Sequence, residues 1–306
     1  MSSNTDLWPE LPLAAWQETK DTLHMWTQIV GKIRMQLTPL VNHWWNATLY
    51  VTARGLTTSP IPYPGGSFEV RFDLISHRLL IETSRGEVRT MELAPRTVAD
   101  FYADLMNTLE SLDIAVAITA IPDEVTNPIP FAEDRSHKSY DHEYVDRFRR
   151  LLNSVDTVLK EFRGGFIGKS SPVHFFWGSF DLAVTRFSGR QAPPRTSAMM
   201  QEAYSHEVSS AGFWPGGGDI QGPAFYSYTA PEPAGFRTHP VRPHPAFYHS
   251  GIGEFLLMYD DIREAASPAK ELMDFLGSTY QAGADLAKWD RAALERTPRK
   301  SATQGG

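Results

Sequence analysis

The sequence contains no cysteine, which excludes disulfides and thiol catalysis and leaves histidine and carboxylates as the only ligands for a metal. It has no excess of positive charge either. Lys and Arg number 29 against 36 Asp and Glu, a formal charge of -7, which argues against general nucleic-acid binding because no basic face compensates it. No apolar run approaches a membrane span, and the N-terminal MSSNTDLWPELPL has neither a basic nor an apolar leader region. The expectation is a cytoplasmic protein. What is present is ample for a core: 306 residues, 42% hydrophobic and 12% aromatic, describe a folded globular chain of one large or two smaller domains.

Along the chain, Trp16, Leu23, Trp26, Val30, Ile33 and Leu37 recur at helical spacing and predict a helix over residues 14–37, stopped by Pro39. Asp21, His24, Gln28 and Lys32 form a polar stripe on the same helix, read as solvated surface unless a cleft lies against it. Strands are predicted over 44–53, 67–74, 77–83 and 87–93, the last two joined by Ser84-Arg85-Gly86, and a further short one over 114–118. Thr97 with Asp100 predicts a capped helix. A Pro-rich and acidic stretch, 122–140, is the candidate linker. A second long helix covers 141–162 and ends at Gly164-Gly165. After an aromatic strand region, residues 188–223 read as a long irregular insertion. Strands follow near 224–229, 245–249 and 254–259, and Ser267-Pro268 opens a final helix. The tail from 297 is expected to be disordered. Asn46-Ala47-Thr48 matches a glycosylation acceptor, but it falls in a predicted strand of a chain without a leader and carries no weight.

Both halves thus read helix, four strands, helix. Gly31-Lys32, Trp45, Val51-Thr52 and Arg54 are echoed by Gly168-Lys169, Trp177, Val184-Thr185 and Arg186, and Gly86-Glu87 with Met91 by Gly253-Glu254 with Met258. The fold class expected is therefore α+β with mainly antiparallel sheets: two similar units, 1–121 and 141–296, related by duplication, the second carrying the inserted loop 188–223.

Familiar catalytic motifs fail on inspection. The run from Gly164 to Ser170 lacks the first glycine of a phosphate loop and has helix before it where strand is needed. His206-Glu207 begins a zinc-protease pattern, but Ser210 stands where the second histidine belongs. Gly216-Gly217-Gly218 has neither the preceding strand nor the following helix of a dinucleotide site. His239, His244 and His249 recur at a spacing that suits neither a helix face nor a strand face, so they predict no shared metal. What remains is a constellation. His174, Asp181, His206 and Glu207 have acid–base capacity, while Arg186, Arg190, Trp177, Tyr204 and Trp214 can bind and wall a ligand. The bland alternative for each is a hydrogen-bonded or aromatic core residue. The insertion is expected to fold over residues 173–187 and to bring His206 or Glu207 near His174.

TLHMWTQIVGK, NHWW, RGLTTSPIPY, SPVHFFWGSFDLAVTRFSGR and YSHEVSSAGFWPGG are the stretches by which the chain resembles a bacterial family known only as a domain of unknown function. The likeness runs from Trp8-Pro9 to Trp289-Asp290-Arg291 and implies no activity, cofactor or catalytic residue. On the residues alone, three functions stay open. The first is an enzyme acting on a small anionic molecule between strand 173–187 and loop 188–223. The others are a binding or sensing module using the same pocket, and a structural or interaction protein.

Overall fold

The computed structural model describes residues 7–297; the expected tail lies, from residue 298, outside them. Helix α1 (Leu13–Leu37) is buried on nearly every side from Thr22 to Arg34. Gly31 lies within it because a β-carbon there would overlap the indole of Trp177, a close approach that outweighs glycine's cost of about 1 kcal/mol in a helix. The polar stripe of α1 is not solvated. The His24 Nε2 donates to the carbonyls of Trp177 and Gly178, both at 2.9 Å. Gln28 exchanges two hydrogen bonds with the backbone of Asp123, and the Lys32 ammonium pairs with the Asp123 carboxylate at 2.6 Å. Burial holds the His24 imidazole down to about 4. The segment expected as a linker is docked along α1 by these bonds.

The first sheet comprises β1 (Tyr50–Thr52), β2 (Gly55–Thr57), β3 (Ile61–Tyr63), β4 (Gly66–Asp73), β5 (Arg78–Thr83) and β6 (Val88–Glu92). Its order is β1-β2-β4-β5-β6, with β3 sharing one edge of β4 with β2. Strict alternation in β4 buries Phe68, Val70 and Phe72. Of the strand expected over 44–53 only residues 50–52 form one, a tight 3-10 turn occupying 42–44 ahead of it, and 114–118 join no sheet. Helix α2 (Val98–Glu110) starts at Thr97, whose hydroxyl accepts from the Asp100 amide, as the sequence predicts, and α3 (His142–Gly164) occupies the expected second long helix, with Asp141 as its cap.

The second sheet holds β7 (His174–Phe176), β8 (Asp181–Gln191), β9 (His206–Trp214), β10 (Ala224–Ala230), β11 (Phe247–His249) and β12 (Glu254–Met258), in the order β11-β12-β10-β9-β8-β7. All pairings are antiparallel. Only a short helix, α4 (Ala198–Ala203), interrupts β8 and β9; helix α5 (Pro268–Leu286), capped by Ser267, and the short α6 (Arg291–Leu294) close the chain. The insertion is therefore not irregular throughout: its residues 206–214 are a central strand.

The expected α+β architecture with antiparallel sheets is present. The proposed duplication gains no support, because Gly31-Lys32 sits inside α1 whereas Gly168-Lys169 sits in the loop after α3, and the two sheets differ in strand order. Leu49 and Phe175 exchange two backbone hydrogen bonds of 2.9 Å, joining the sheets at β1 and β7. One hydrophobic cluster, from Trp8 to Trp289, runs through both halves.

Candidate functional site

Residues directly opposite in antiparallel strands share a face, so the register of the second sheet sorts its side chains. Phe175, Leu182, Phe213, Phe225 and Leu257 line one row facing α3 and α5. His174, Ala183, Gly212, Tyr226 and Leu256 line a row on the other face, beside a second row of Thr185, Ser210 and Tyr228. Asp181 and Glu254, each two residues from a member of the first row, point the same way.

The middle of this face is made of small residues, and that is what gives it a site. A β-carbon at Gly212 would overlap both the Leu182 carbonyl oxygen and the Tyr226 phenol. Its absence lets Tyr226 lie across β9, where its hydroxyl donates to the Asp181 carboxylate. Alongside, Thr185 and Ser210 share a hydrogen bond of 2.9 Å, and Tyr204, at the end of α4, meets the Tyr228 hydroxyl at 2.9 Å. The rings of Tyr226 and Tyr228 stack with an interplanar angle of 13°. Five oxygen-bearing side chains, Asp181, Tyr204, Tyr226, Tyr228 and Glu254, thus form one cluster.

Its electrostatics are unusual. Asp181 is buried and pushed up to about 7, first by loss of water and further by the charge of Glu124, against the hydrogen bond from Tyr226. Glu254 is also pushed up to about 7, by burial and then by Asp181. Burial raises both Tyr226 and Tyr228 well above the usual phenol range. Neither carboxylate forms an ion pair among the described residues, and the Glu254 side chain has no hydrogen-bond partner there. Two carboxyls poised near neutrality can take and return protons. No group of three or more His, Asp or Glu among the described residues is placed to hold a metal ion.

The other expected site residues separate. His174 is fully buried at the seam between the sheets, ringed by Trp45, Tyr50 and Phe176 at 5.5–5.7 Å, and neither ring nitrogen has a partner. Burial, with Arg34 and Arg163 nearby, holds it down to about 3. His206 does not come near it: β9 pairs edge to edge with β8 instead of folding over it, and His206 stands opposite Gln191 while His174 stands opposite Ala183. The His206 ring lies instead 6.0 Å from His43. Glu207 accepts from Ser188 and pairs with Arg190 at 2.7 Å, and Arg190 also donates to the Ala287 carbonyl past the end of α5. Arg186 faces the helices, its guanidinium 3.4 Å from the Phe162 ring centroid and 4.3 Å from that of Tyr280, donating to the Phe162 carbonyl. Both arginines are occupied in holding helices, so the expected anion subsite is not assembled. Trp177 is core, its Nε1 donating to the Ala47 carbonyl at 2.7 Å. Trp214 is half-buried and donates to the Ser179 carbonyl.

Asp181 and Tyr204 thus belong to the cluster as expected, while Tyr226, Tyr228 and Glu254 were not singled out. The alternation in AFYSYTA, which puts both tyrosines on one face, is the signal that would have found them.

Fold and cluster together define an α+β protein with an acid–phenol site on one face of its second sheet. The chain belongs to the family of unknown function DUF5996, whose model matches residues 8–296. No curated protein and no solved structure matches it.

Proposed function

We propose that this protein binds a small molecule bearing a basic nitrogen on the outer face of the second sheet and moves a proton to or from it. The observation that carries the reading is Glu254: a half-buried carboxyl with no hydrogen-bond or ion-pair partner among the described residues, held near neutrality beside Asp181. Beside it Asp181 is a buried carboxyl without a cation, which is costly to ionise, and an ammonium group would relieve both acids at once. Glu254 then accepts the proton, Asp181 and Tyr226 hold the nitrogen, and Tyr204 and Tyr228 shape the site. This reverses the charge expected of the ligand, because Arg186 and Arg190 are already engaged. The net charge of -7 suits a cationic ligand and disfavours nucleic acid. Among the described residues no helix is long and apolar enough to cross a membrane, and we place the protein in the cytoplasm.

Thermal unfolding against matched aliphatic amines, alcohols and carboxylates tests this. Amines should stabilise the protein by about 2.7 kcal/mol at a hundred times the dissociation constant, and Glu254→Gln should remove the effect. Stabilisation by carboxylates alone, or by none of the three, overturns the reading.

A further inference from the structure

A second cluster lies beyond the acid–phenol site, where the 3-10 turn of residues 42–44 meets α4. His43 and Trp44 are consecutive non-glycine residues in the left-handed region, with φ of 59° and 60°, a backbone that persists only where its surroundings impose it. The imposing contacts are visible. The His43 amide donates to the Glu202 carboxylate at 2.9 Å, and the His43 Nδ1 lies 3.2 Å from the carbonyls of Glu202 and Ala203. Two carbonyl acceptors place the ring proton on Nδ1 and leave the lone pair on Nε2. That lone pair faces the Lys169 Nζ at 2.7 Å.

Lys169 is pinned from the other side. Its carbonyl accepts from the Phe187 amide at 3.0 Å, so residues 169–171 run along β8. Its ammonium lies over Phe187 and Trp45, at 4.8 and 5.5 Å from the ring centroids. It forms no ion pair with a carboxylate among the described residues, unlike Lys160 and Lys270, each paired with an Asp at 2.5 Å. The titratable groups around it are His43, Glu202 and His206. Burial lowers both Lys169 and His43 from their ordinary values, in keeping with an amine that surrenders its proton readily.

We infer that Lys169 is a carbonyl-reactive amine, activated by His43, that forms an imine with a small aldehyde or ketone. His43 Nε2 takes a proton from the Lys169 ammonium, and the free amine attacks the carbonyl carbon, giving a carbinolamine. The protonated His43 returns its proton to the departing hydroxyl, and water leaves. Ammonium and carbonyl have then become protonated imine and water, with no oxidant or reductant consumed. Trp45 and Phe187 give the imine an apolar wall on one side, and the exposed side chain of Lys169 leaves the other side open for the carbonyl compound to enter.

Reductive trapping tests the inference. The protein is incubated with glyceraldehyde and cyanoborohydride at neutral pH, and labelling at each lysine is followed by peptide mass spectrometry. Lys169 should be modified about tenfold or more faster than Lys160 and Lys270. His43→Asn, whose side chain tolerates the left-handed backbone, should bring Lys169 down to their rate. Should that variant not fold, the pH dependence of labelling in the parent protein decides: the rate at Lys169 should level off at lower pH than the rates at Lys160 and Lys270. Equal rates at the three lysines, unchanged labelling in folded His43→Asn, or coincident pH profiles overturn the inference.

Discussion

Replacing Asp181 by asparagine should make this protein more stable, and by an amount that depends on pH. The carboxyl is buried, with Glu124 and Glu254 as its charged neighbours and a single phenol donating to it. Its value is raised from 3.8 to about 7, so the folded state binds a proton more tightly than the unfolded one. The stability this contributes is fully present below pH 4 and is lost as pH rises through 7. At 1.36 kcal/mol per pH unit the loss is roughly 4 kcal/mol, and sharing of the shift with Glu254 reduces the part specific to Asp181 to about 2–4 kcal/mol. Asparagine keeps an oxygen to accept from Tyr226 and never ionises. Urea unfolding of parent and variant at pH 4.5, 6, 7.5 and 9 should therefore give curves that nearly coincide in acid. They should diverge with rising pH, with the variant ahead, and become parallel above 7. A variant that is less stable by a constant amount at every pH would mean that Asp181 has a cationic partner in the folded protein, and the reasoning would fail.

The opposite trend should appear at the seam between the sheets. His174 is held from 6.5 down to about 3, so the parent loses stability as pH falls below 6.5. His174→Leu should be no less stable at neutral pH and should gain about 2 kcal/mol over the parent by pH 5. Destabilisation at neutral pH would mean that the ring nitrogens have a partner. Gly212→Ala should cost about 1–3 kcal/mol, since the new methyl group meets the Leu182 carbonyl and the Tyr226 phenol. The same variant should lose amine-dependent stabilisation because Tyr226 no longer reaches Asp181; a variant of parental stability would show that the close approach is not real.

The helices were legible because their signals are local. Apolar periodicity marked α1, α3 and α5, and Thr97 and Ser267 cap where their sequence suggests. β9 was not legible, since its middle, Ser209-Ser210-Ala211-Gly212, is a run of small residues that interrupts the branched and aromatic pattern of a strand. Its small residues answer to side chains elsewhere: Gly212 is there for Tyr226, fourteen positions on. The polar stripe of α1 misled for the same reason, because the partners of Gln28 and Lys32 lie at Asp123. Strand parity could place Asp181 and Arg186 on opposite faces. Only the position of α3 and α5 decides that the Arg186 face is core and the Asp181 face is site. His206 was expected beside His174, but its neighbour is His43, whose position depends on a left-handed turn that no propensity predicts.

The central claim is that Asp181 and Glu254 are protonatable near neutrality because they await a cation. Carbon-13 NMR titration of the labelled side-chain carboxyls, with and without saturating 1,4-diaminobutane, measures this directly. In the free protein both should titrate at about 7, and in the presence of the diamine both midpoints should fall by more than one pH unit as the ammonium stabilises the carboxylates. Midpoints near the ordinary carboxylate value of about 4 in the free protein, or midpoints that the diamine leaves in place, would contradict the account.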